Sequence, residues 1–393
     1  MVKPEINFNW NSPDFAGTRV DFGHEKGGSP TPKRSATRFL SYPKFLARRE
    51  SVCCCGDLMK HSWPLSNNYS HAFWDARSLM SAMKKPSFST YRLHGFLQAS
   101  GPDAGAFLQG QFSNDLSSMA VGSVVYGLWL DRKGKIVADS FVLRRAEDRF
   151  AVLSYFCAGS VIHERLDAYL VMEEAELEVA SGLPQALCVW GEEGQQKVCA
   201  ELDLHLPTGG GFSASGGVVA FWGRRGVDPC LEIVCLDTDS EGRMGMAEGV
   251  LAGLGALERS DDDVTALAIE GRVPQIGRGF GSQDLPQELG LEVDAVSFRK
   301  GCYLGQEVMA RLHAMGKVRK SLEEVRVESA GGVPNLELPV DLVDENGKRQ
   351  GSLRSIAYLE SGCVGLAVVS SGFGGGALKA GPCKVELLRG ERS

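Results

Sequence analysis

The run 300–307 places a thiol, a cation, a carboxylate and two glycines within eight residues. Its glycines let the backbone bend sharply and let another group come close to it. Arg299 and Lys300 precede Cys302, and neighbouring cations favour the thiolate, which is the nucleophilic and metal-binding form of cysteine. We therefore predict a chemical role for Cys302, with Lys300 and Glu307 as the charged groups beside it. The alternative is an inert thiol that packs as a small apolar side chain.

Length and charge limit the class of protein. A chain of 393 residues exceeds the size at which one core keeps growing, which predicts two or three domains. The formal net charge of -7 argues against a protein that binds nucleic acid directly, because such proteins present a basic face to phosphate. No apolar run reaches the roughly 20 residues that span a bilayer, so we expect no membrane partner.

The eleven cysteines do not follow the spacing of the common metal frameworks. There is no C-x-x-C pair, Cys53 to Cys55 are contiguous, and the seven histidines are dispersed. The sequence thus predicts no dedicated metal site, and it predicts reduced thiols in the cytoplasm, with the mitochondrial matrix as the alternative compartment. A thiol oxidoreductase is disfavoured because Cys302 has no nearby resolving cysteine, and a stable iron–sulfur protein would need about four thiolates.

The helices and strands that must position the motif 300–307 are predicted to begin after an N-terminal segment of different composition. Residues 1–85 lack apolar periodicity and are predicted to be disordered or poorly structured. The basic stretch 33–49 is similar to an organelle-targeting segment, although the acidic residues around it are too many for a typical one. The remaining chain predicts three domains: an α+β domain over 86–181 completed by 264–317, a second α+β domain over 182–263, and a β-barrel over 318–393.

Alternating and helical apolar patterns support these domains. Asp103 is predicted to cap a short helix, and the turn 131–134 is predicted to join two strands. Further helices are expected over 161–169, 244–257 and 262–270. Strands are expected over 93–98, 123–130, 135–143, 150–156, 186–190, 218–222 and 231–235, and in the barrel over 321–327, 340–343, 351–358, 364–369 and 383–388.

Four motifs together are similar to those of the folate-binding YgfZ family, a group related to the glycine-cleavage aminomethyltransferase and to a mitochondrial iron–sulfur assembly factor. The run 300–307 is highly specific for this family. The other three motifs are individually weak, but their order and spacing agree over about residues 90 to 393: they are 107–111 with Asn114 and Asp115, 131–139, and 270–274.

The resemblance implies a GcvT-like, three-domain ring of two mixed α/β units and a small C-terminal barrel. It also implies tetrahydrofolate in a central channel, with iron–sulfur proteins or their assembly machinery as partners. A folate needs groups that pair with its pteridine, an aromatic ring that stacks on it, and cations for its glutamate. The expected folate-binding residues are Asn114, Asp115, Lys135, Arg272, Tyr303 and Gln306. The alternative for Asn114 and Asp115 is helix capping, and for Lys135 a solvated turn.

The chain departs from the family pattern at two positions. Where some bacterial members place tryptophans against the folate, it has His94 and Val264. Loss of aromatic stacking would weaken the folate contact.

Two functions remain open from the sequence. One is a folate-binding accessory protein that supports assembly or repair of iron–sulfur clusters and, through radical enzymes, tRNA modification. The other is a tetrahydrofolate-dependent aminomethyl or one-carbon transferase. The second needs no cysteine, so the prominence of Cys302 favours the first.

Overall fold

The computed structural model describes residues 85–237, 240–316, 318–329, 334, 336–359 and 362–388. The predictions for the N-terminal segment, apart from Lys85, and for its basic stretch lie outside these residues.

Alternating strands and short helices make up the described chain. The strands are β1 Ser87–Arg92, β2 Gly95–Ser100, β3 Val124–Leu130, β4 Ile136–Ala146, β5 Arg149–Ser154, β6 Glu176–Val179, β7 Gln185–Trp190, β8 Phe212–Ser215, β9 Val218–Trp222, β10 Cys230–Cys235, β11 Leu257–Glu258, β12 Lys320–Glu328, β13 Val340–Val343, β14 Arg349–Leu359, β15 Gly362–Ser370, β16 Leu378–Ala380 and β17 Cys383–Leu387. The α-helices are α1 Ala104–Gln111, α2 Gly159–Asp167, α3 Glu192–Glu201, α4 Glu241–Gly253, α5 Asp261–Glu270 and α6 Gln306–Met315.

The first sheet is antiparallel and has the order β3-β4-β5-β2-β6. The predicted turn between β3 and β4 is present, and Gly134 supplies its left-handed conformation with φ of 73°. Asp103 stands at the N-cap of α1 as predicted, but its side chain accepts a hydrogen bond from the backbone N–H of Glu174 and makes none to the helix. The capping residue therefore ties α1 to the segment before β6.

The second sheet has the order β11-β1-β7-β10-β9-β8. Its strand β1 pairs antiparallel with β7 along its whole length, from Ser87 opposite Trp190 to Arg92 opposite Gln185. The strand was not predicted, and the expected domain start at residue 86 assigns it to the first unit, whereas its hydrogen bonds place it in the second sheet. Two helices, α3 and α6, were likewise not predicted.

One face of the second sheet packs on α3 and α4, and an aromatic core lies between the two sheets. Phe141 from β4 contacts Phe221 from β9, with ring centroids 5.0 Å apart. Tyr155, just after β5, approaches the same Phe141 edge-on. This core joins strands of the two sheets to each other.

The C-terminal strands close into a barrel in the order β12-β15-β14-β13-β16-β17. Five of its strands were predicted, and the sixth, β16, has only three residues. Arg354 of β14 is buried and reaches out of the barrel to the carboxylate of Asp284, at 3.8 Å, and to the carbonyl of Gly279, at 3.2 Å. The loop before α6 is thereby attached to the barrel.

The predicted α+β architecture of two mixed units and a C-terminal barrel is confirmed. Among the described residues, no helix is long and apolar enough to cross a membrane.

Candidate functional site

Cys302 lies in an exposed loop that leads into α6. It is a free cysteine, and the other free cysteines among the described residues are all buried. The loop ends at Gly305, the N-cap of α6, whose φ is 85°. A side chain there would bring its first carbon within 2.7 Å of the Asp131 carbonyl oxygen, so glycine is needed for both the conformation and the close contact. The β3–β4 turn thus packs against the loop that carries Cys302, the thiol loop.

Lys300 is buried and does not turn its ammonium to the solvent beside Cys302. Its Nζ donates to three backbone carbonyls, those of Gln109 and Phe112 at 2.6 Å and that of Asn114 at 2.9 Å. Burial lowers the pKa of Lys300 to about 8, and the carboxylate of Asp115 opposes that shift. All three N–H donors of the ammonium are used, so the structure corrects the expectation of a free cation beside the thiol: Lys300 holds the loop in place.

The loop held by Lys300 carries two of the predicted folate-binding residues. The amide nitrogen of Asn114 donates to the carbonyls of Tyr126 and Asp294, at 2.8 and 2.9 Å, and its oxygen accepts from the N–H of Asp115. One carboxylate oxygen of Asp115 accepts from the hydroxyl and N–H of Ser117 and from Gln109. These bonds, first that from the Ser117 hydroxyl, lower the pKa of Asp115.

Asn114 therefore has a structural task, whereas Asp115 keeps its second oxygen without a hydrogen bond among those found in the described residues.

Tyr303 was expected to stack on a ligand, but it is 6% exposed and belongs to the core of the first unit. Its ring lies 5.1 Å from the Lys300 nitrogen, and its hydroxyl has no hydrogen-bond partner among the described residues. Burial raises the pKa of Tyr303 to about 12. In this conformation the ring is not available for stacking, because core side chains already cover it.

Gln306 and Glu307 occupy the first turn of α6. Glu307 is exposed and follows the thiol loop directly, where a carboxylate is favourable at the positive end of a helix. Gln306 is half-buried. Both follow Cys302 closely in the chain.

The two remaining predicted cations each have a protein partner. Lys135 donates to the carbonyl of Gln283 at 2.8 Å and lies 3.8 Å from Glu288. Arg272 has a left-handed backbone, with φ of 50°, and its guanidinium lies 3.8 Å from Glu323 of the barrel. Neither residue lines a cavity described here.

A cavity of about 580 Å³ opens beside the second sheet. Both positions at which the chain departs from the family pattern line it: His94, whose ring approaches Phe156 edge-on, and Val264 of α5. Its other lining side chains are mainly aromatic or basic. They include Tyr91, Phe156, Trp190, Arg92, Arg225, Arg259 and Arg278, with Asp261 as the acidic member.

The charge of the cavity is the reverse of that of the whole chain. Four arginines and one aspartate line it, while the protein carries a formal charge of -7. Arg278 and Asp261 form a two-point ion pair, with N–O distances of 3.0 and 2.6 Å. Arg259 donates its Nε–H to the hydroxyl of Ser87. The lining therefore favours an anionic ligand.

A buried carboxylate, that of Glu232, holds side chains of the cavity wall in place through hydrogen bonds. Glu232 of β10 accepts hydrogen bonds from the hydroxyls of Tyr91 and Tyr155 and from Nε of Arg225 at 2.9 Å. The Arg225 guanidinium lies 3.7 Å from the Tyr155 ring centroid and 4.2 Å from that of Tyr91. The pair with Glu232 raises the pKa of Arg225 although burial opposes it. Arg225 is thus a fixed, permanently charged part of the wall.

Two residues that line the cavity each carry a buried donor without a hydrogen bond in the described part of the chain. Nη2 of Arg225 and Nε1 of Trp190 make no hydrogen bond within the described residues, although Arg225 is 6% and Trp190 5% exposed. An unpaired buried donor costs about 1–3 kcal/mol. These donors and the Arg225–Glu232 cluster were not found from the sequence. The adjacent Arg224 and Arg225 between Gly223 and Gly226 were the available signal.

A second cavity, of about 10 Å³, has room for about one water molecule. Asp139 lines it and accepts from the hydroxyls of Tyr126, at 2.9 Å, and Ser154, at 3.0 Å. Burial raises the pKa of Asp139. Phe156 and Arg225 line both cavities, so the two adjoin at these side chains.

Comparison with known proteins agrees with this architecture. The family described as "GCVT N-terminal domain" matches residues 88–200. The chain is 30% identical to the tRNA-modifying protein YgfZ of Edwardsiella ictaluri over 279 residues, which are 70% of this chain and 81% of that protein. It is 26% identical to the protein of the same name from Vibrio vulnificus over 282 residues, again 70% and 81%.

Among solved structures, the glycine cleavage system aminomethyltransferase T from Bartonella henselae superposes with a TM-score of 0.64 at 16% identity, covering 78% of this chain and 86% of that one. This similarity establishes the fold. The sequence relatives, together with the motif at Cys302 and the shared architecture, show that the chain belongs to the YgfZ family.

Proposed function

We propose that this protein binds a reduced folate in the arginine-lined cavity and uses Cys302 to support assembly or repair of iron–sulfur clusters in enzymes that modify tRNA. The relatives' name, tRNA-modifying protein, supports the last part, and the fold shared with an aminomethyltransferase supports a folate ligand. The observation that carries the proposal is the cavity itself, with its positive lining and unpaired buried donors.

The chemistry of a folate matches this lining. Its pteridine is flat and aromatic, and Trp190, Tyr91 and Phe156 offer aromatic surfaces. Its glutamate carboxylates are anions that guanidinium groups bind at two points. A volume of about 580 Å³ lies within the range of cavities that bind small organic ligands, about 300–1,000 Å³.

The thiol and the cavity have separate tasks in this proposal. Cys302 is exposed and does not line either cavity, so a partner protein can reach it while the cavity is filled. Among the described residues the cysteines are free thiols, which supports a reducing compartment. We place the protein in the cytoplasm, with the mitochondrial matrix as the alternative.

Calorimetric titration with tetrahydrofolate tests the ligand. The parent should bind one equivalent, and Arg259→Met should weaken binding about tenfold, because Arg259 lines the cavity and is only half-buried. Arg272→Met is the matched control, since Arg272 lies outside both cavities. Asp115→Ala separates two locations: unchanged binding favours the arginine-lined cavity, whereas loss of binding would place the folate at the Asn114–Asp115 loop. No binding by the parent refutes the folate proposal.

The cluster role needs a cellular readout. In a host that lacks its own family member, Cys302→Ala should fail to restore thiomethylated tRNA, while its unfolding curve matches that of the parent. Full restoration by Cys302→Ala would contradict the proposed thiol chemistry. Turnover of a methylamine-carrying donor that survives Cys302→Ala but not Asp115→Asn would support the aminomethyltransferase instead.

A further inference from the structure

Strand pairing brings two buried cysteines and Glu232 together on one face of the second sheet. Cys188 of β7 stands directly opposite Glu232 of β10, and Cys230 of β10 stands opposite Trp190 of β7. Successive side chains of a strand point to opposite faces, so the residues two apart in each strand share a face. The alternate residues of both strands, among them Val189 and Leu231, face the helices on the other side.

The donor atoms of these three residues form a compact triangle. The two Sγ atoms and one carboxylate oxygen of Glu232 all lie within 4.8 Å of one another. Around a tetrahedral Zn²⁺, with bonds of about 2.3 Å to sulfur and about 2.0–2.2 Å to oxygen, neighbouring donor atoms are about 3.5–3.8 Å apart. The limit of 4.8 Å exceeds this spacing by about 1 Å, so binding requires the donor atoms to draw closer together.

We propose that Cys188, Cys230 and Glu232 form a binding site for a thiophilic divalent cation such as Zn²⁺. The three residues supply two sulfurs and one oxygen, and the fourth position is left for water or another small ligand, as in zinc sites that have three protein ligands. On binding, each thiol loses its proton to the solvent and two metal–sulfur bonds form, with no change of oxidation state.

The surroundings of Glu232 already resemble the outer shell of a metal ligand. Tyr91, Tyr155 and Arg225 all donate to its carboxylate and fix its orientation. The charges also balance. Two thiolates and one carboxylate against a divalent cation and the Arg225 guanidinium leave no net charge, which a site at 0–1% exposure of its ligands requires.

The site adjoins the cavity. Cys188 is one of the residues that line it, whereas Cys230 and Glu232 lie behind that wall. Sequence spacing could not predict this site, since the cysteines belong to different strands and neither forms a short Cys-x-x-Cys motif. The proposal is independent of folate binding.

Cobalt substitution tests the site on the full, reduced chain. We expect the parent, stripped of metal and titrated with Co²⁺, to bind one equivalent with a sulfur-to-cobalt charge-transfer band and the visible bands of tetrahedral cobalt, and Zn²⁺ to displace it. Cys188→Ser and Cys230→Ser should each weaken binding about a hundredfold or more, since each removes a direct ligand. Cys199→Ser is the matched control, because Cys199 is also a buried free thiol but belongs to the core beneath α3.

A triple variant, Cys53→Ser with Cys54→Ser and Cys55→Ser, distinguishes cobalt bound by these contiguous thiols from cobalt bound at the proposed site. Bands that persist in the triple variant and vanish in Cys188→Ser support the proposal. Bands that vanish in the triple variant and persist in Cys188→Ser overturn it, as does a parent without thiolate bands. If the single variants fail to fold, zinc X-ray absorption of the triple variant decides: two sulfur neighbours support the site, and a shell without sulfur refutes it.

Discussion

The ammonium of Lys300 donates a hydrogen bond to the backbone carbonyl of Asn114, 186 residues earlier in the chain, at 2.9 Å. With the bonds to Gln109 and Phe112, this joins the loop that carries Cys302 to the turn after α1. The motif 300–307 and the motif that contains Asn114 and Asp115 are therefore one structural unit. The Lys300 side chain thus links the turn at Asp115 to the thiol loop.

Replacing Lys300 by methionine should destabilise the protein and loosen the thiol loop. Lys300→Met leaves three carbonyls at the buried end of the side chain without their donor, so we expect a loss on the order of 3 kcal/mol in the free energy of unfolding. Urea denaturation measures it, and faster modification of Cys302 by a thiol reagent reports the loop. Lys133→Met is the control, because Lys133 is exposed on the β3–β4 turn. Equal effects of the two substitutions would contradict this role for Lys300.

Alkylation should select Cys302 among the cysteines of residues 85–388 that the structure describes. Cys302 is exposed, whereas burial raises the pKa of Cys157 to about 12 and that of Cys199 to about 11, which leaves little thiolate at neutral pH. Brief treatment of the folded protein with iodoacetamide, followed by peptide mass spectrometry, should find the label at Cys302 and not at the buried sites. Labelling of Cys230, which lines neither cavity, at a similar rate would contradict this selectivity and show that the second sheet opens readily.

The fold was predictable where apolar residues alternate regularly. The barrel strands and the β3–β4 turn have that pattern, whereas β1, with the sequence Ser-Phe-Ser-Thr-Tyr-Arg, carries few apolar residues and gains its place by pairing with β7. The helix α3 was missed for a similar reason, since its sequence is mostly Glu, Gln and Lys.

The site was predictable only in part, because its contacts join distant segments. The glycines around Cys302 indicated a sharply bent loop, and Gly305 has the left-handed backbone that such a bend needs. The cluster at Glu232 could not be found in this way, since Tyr91 and Tyr155 lie 141 and 77 residues from it in the chain. Burial of Tyr303 and Lys300 likewise depends on tertiary packing, which adjacency in sequence does not reveal.

The ion pair between Arg354 and Asp284 should matter far more than exposed pairs of the barrel. Both residues are buried, so Arg354→Met leaves an uncompensated carboxylate and should cost about 3–5 kcal/mol in unfolding free energy. Replacing both partners, with Asp284→Asn added, should recover part of that loss. Arg349→Met removes an exposed pair with Asp341, on the neighbouring strand β13, and should change stability by less than about 1 kcal/mol.

Urea denaturation of the single and double variants gives the coupling energy of the buried pair. A coupling near zero would mean that Arg354 contributes through packing and its other hydrogen bonds, and not through Asp284.

A larger aromatic ring at position 94 should strengthen folate binding if the ligand occupies the arginine-lined cavity. His94 is exposed at the cavity and its ring lies 6.2 Å from that of Phe156, so a larger side chain can be accommodated there. A stacking contact contributes about 0.5–1.5 kcal/mol, so His94→Trp should lower the dissociation constant for tetrahydrofolate by about two- to tenfold in calorimetric titration. His163→Trp, on α2 and outside both cavities, should leave it unchanged. Weaker binding by His94→Trp would show that the pteridine does not lie against this position, and the charged part of the ligand would then have to provide most of the affinity.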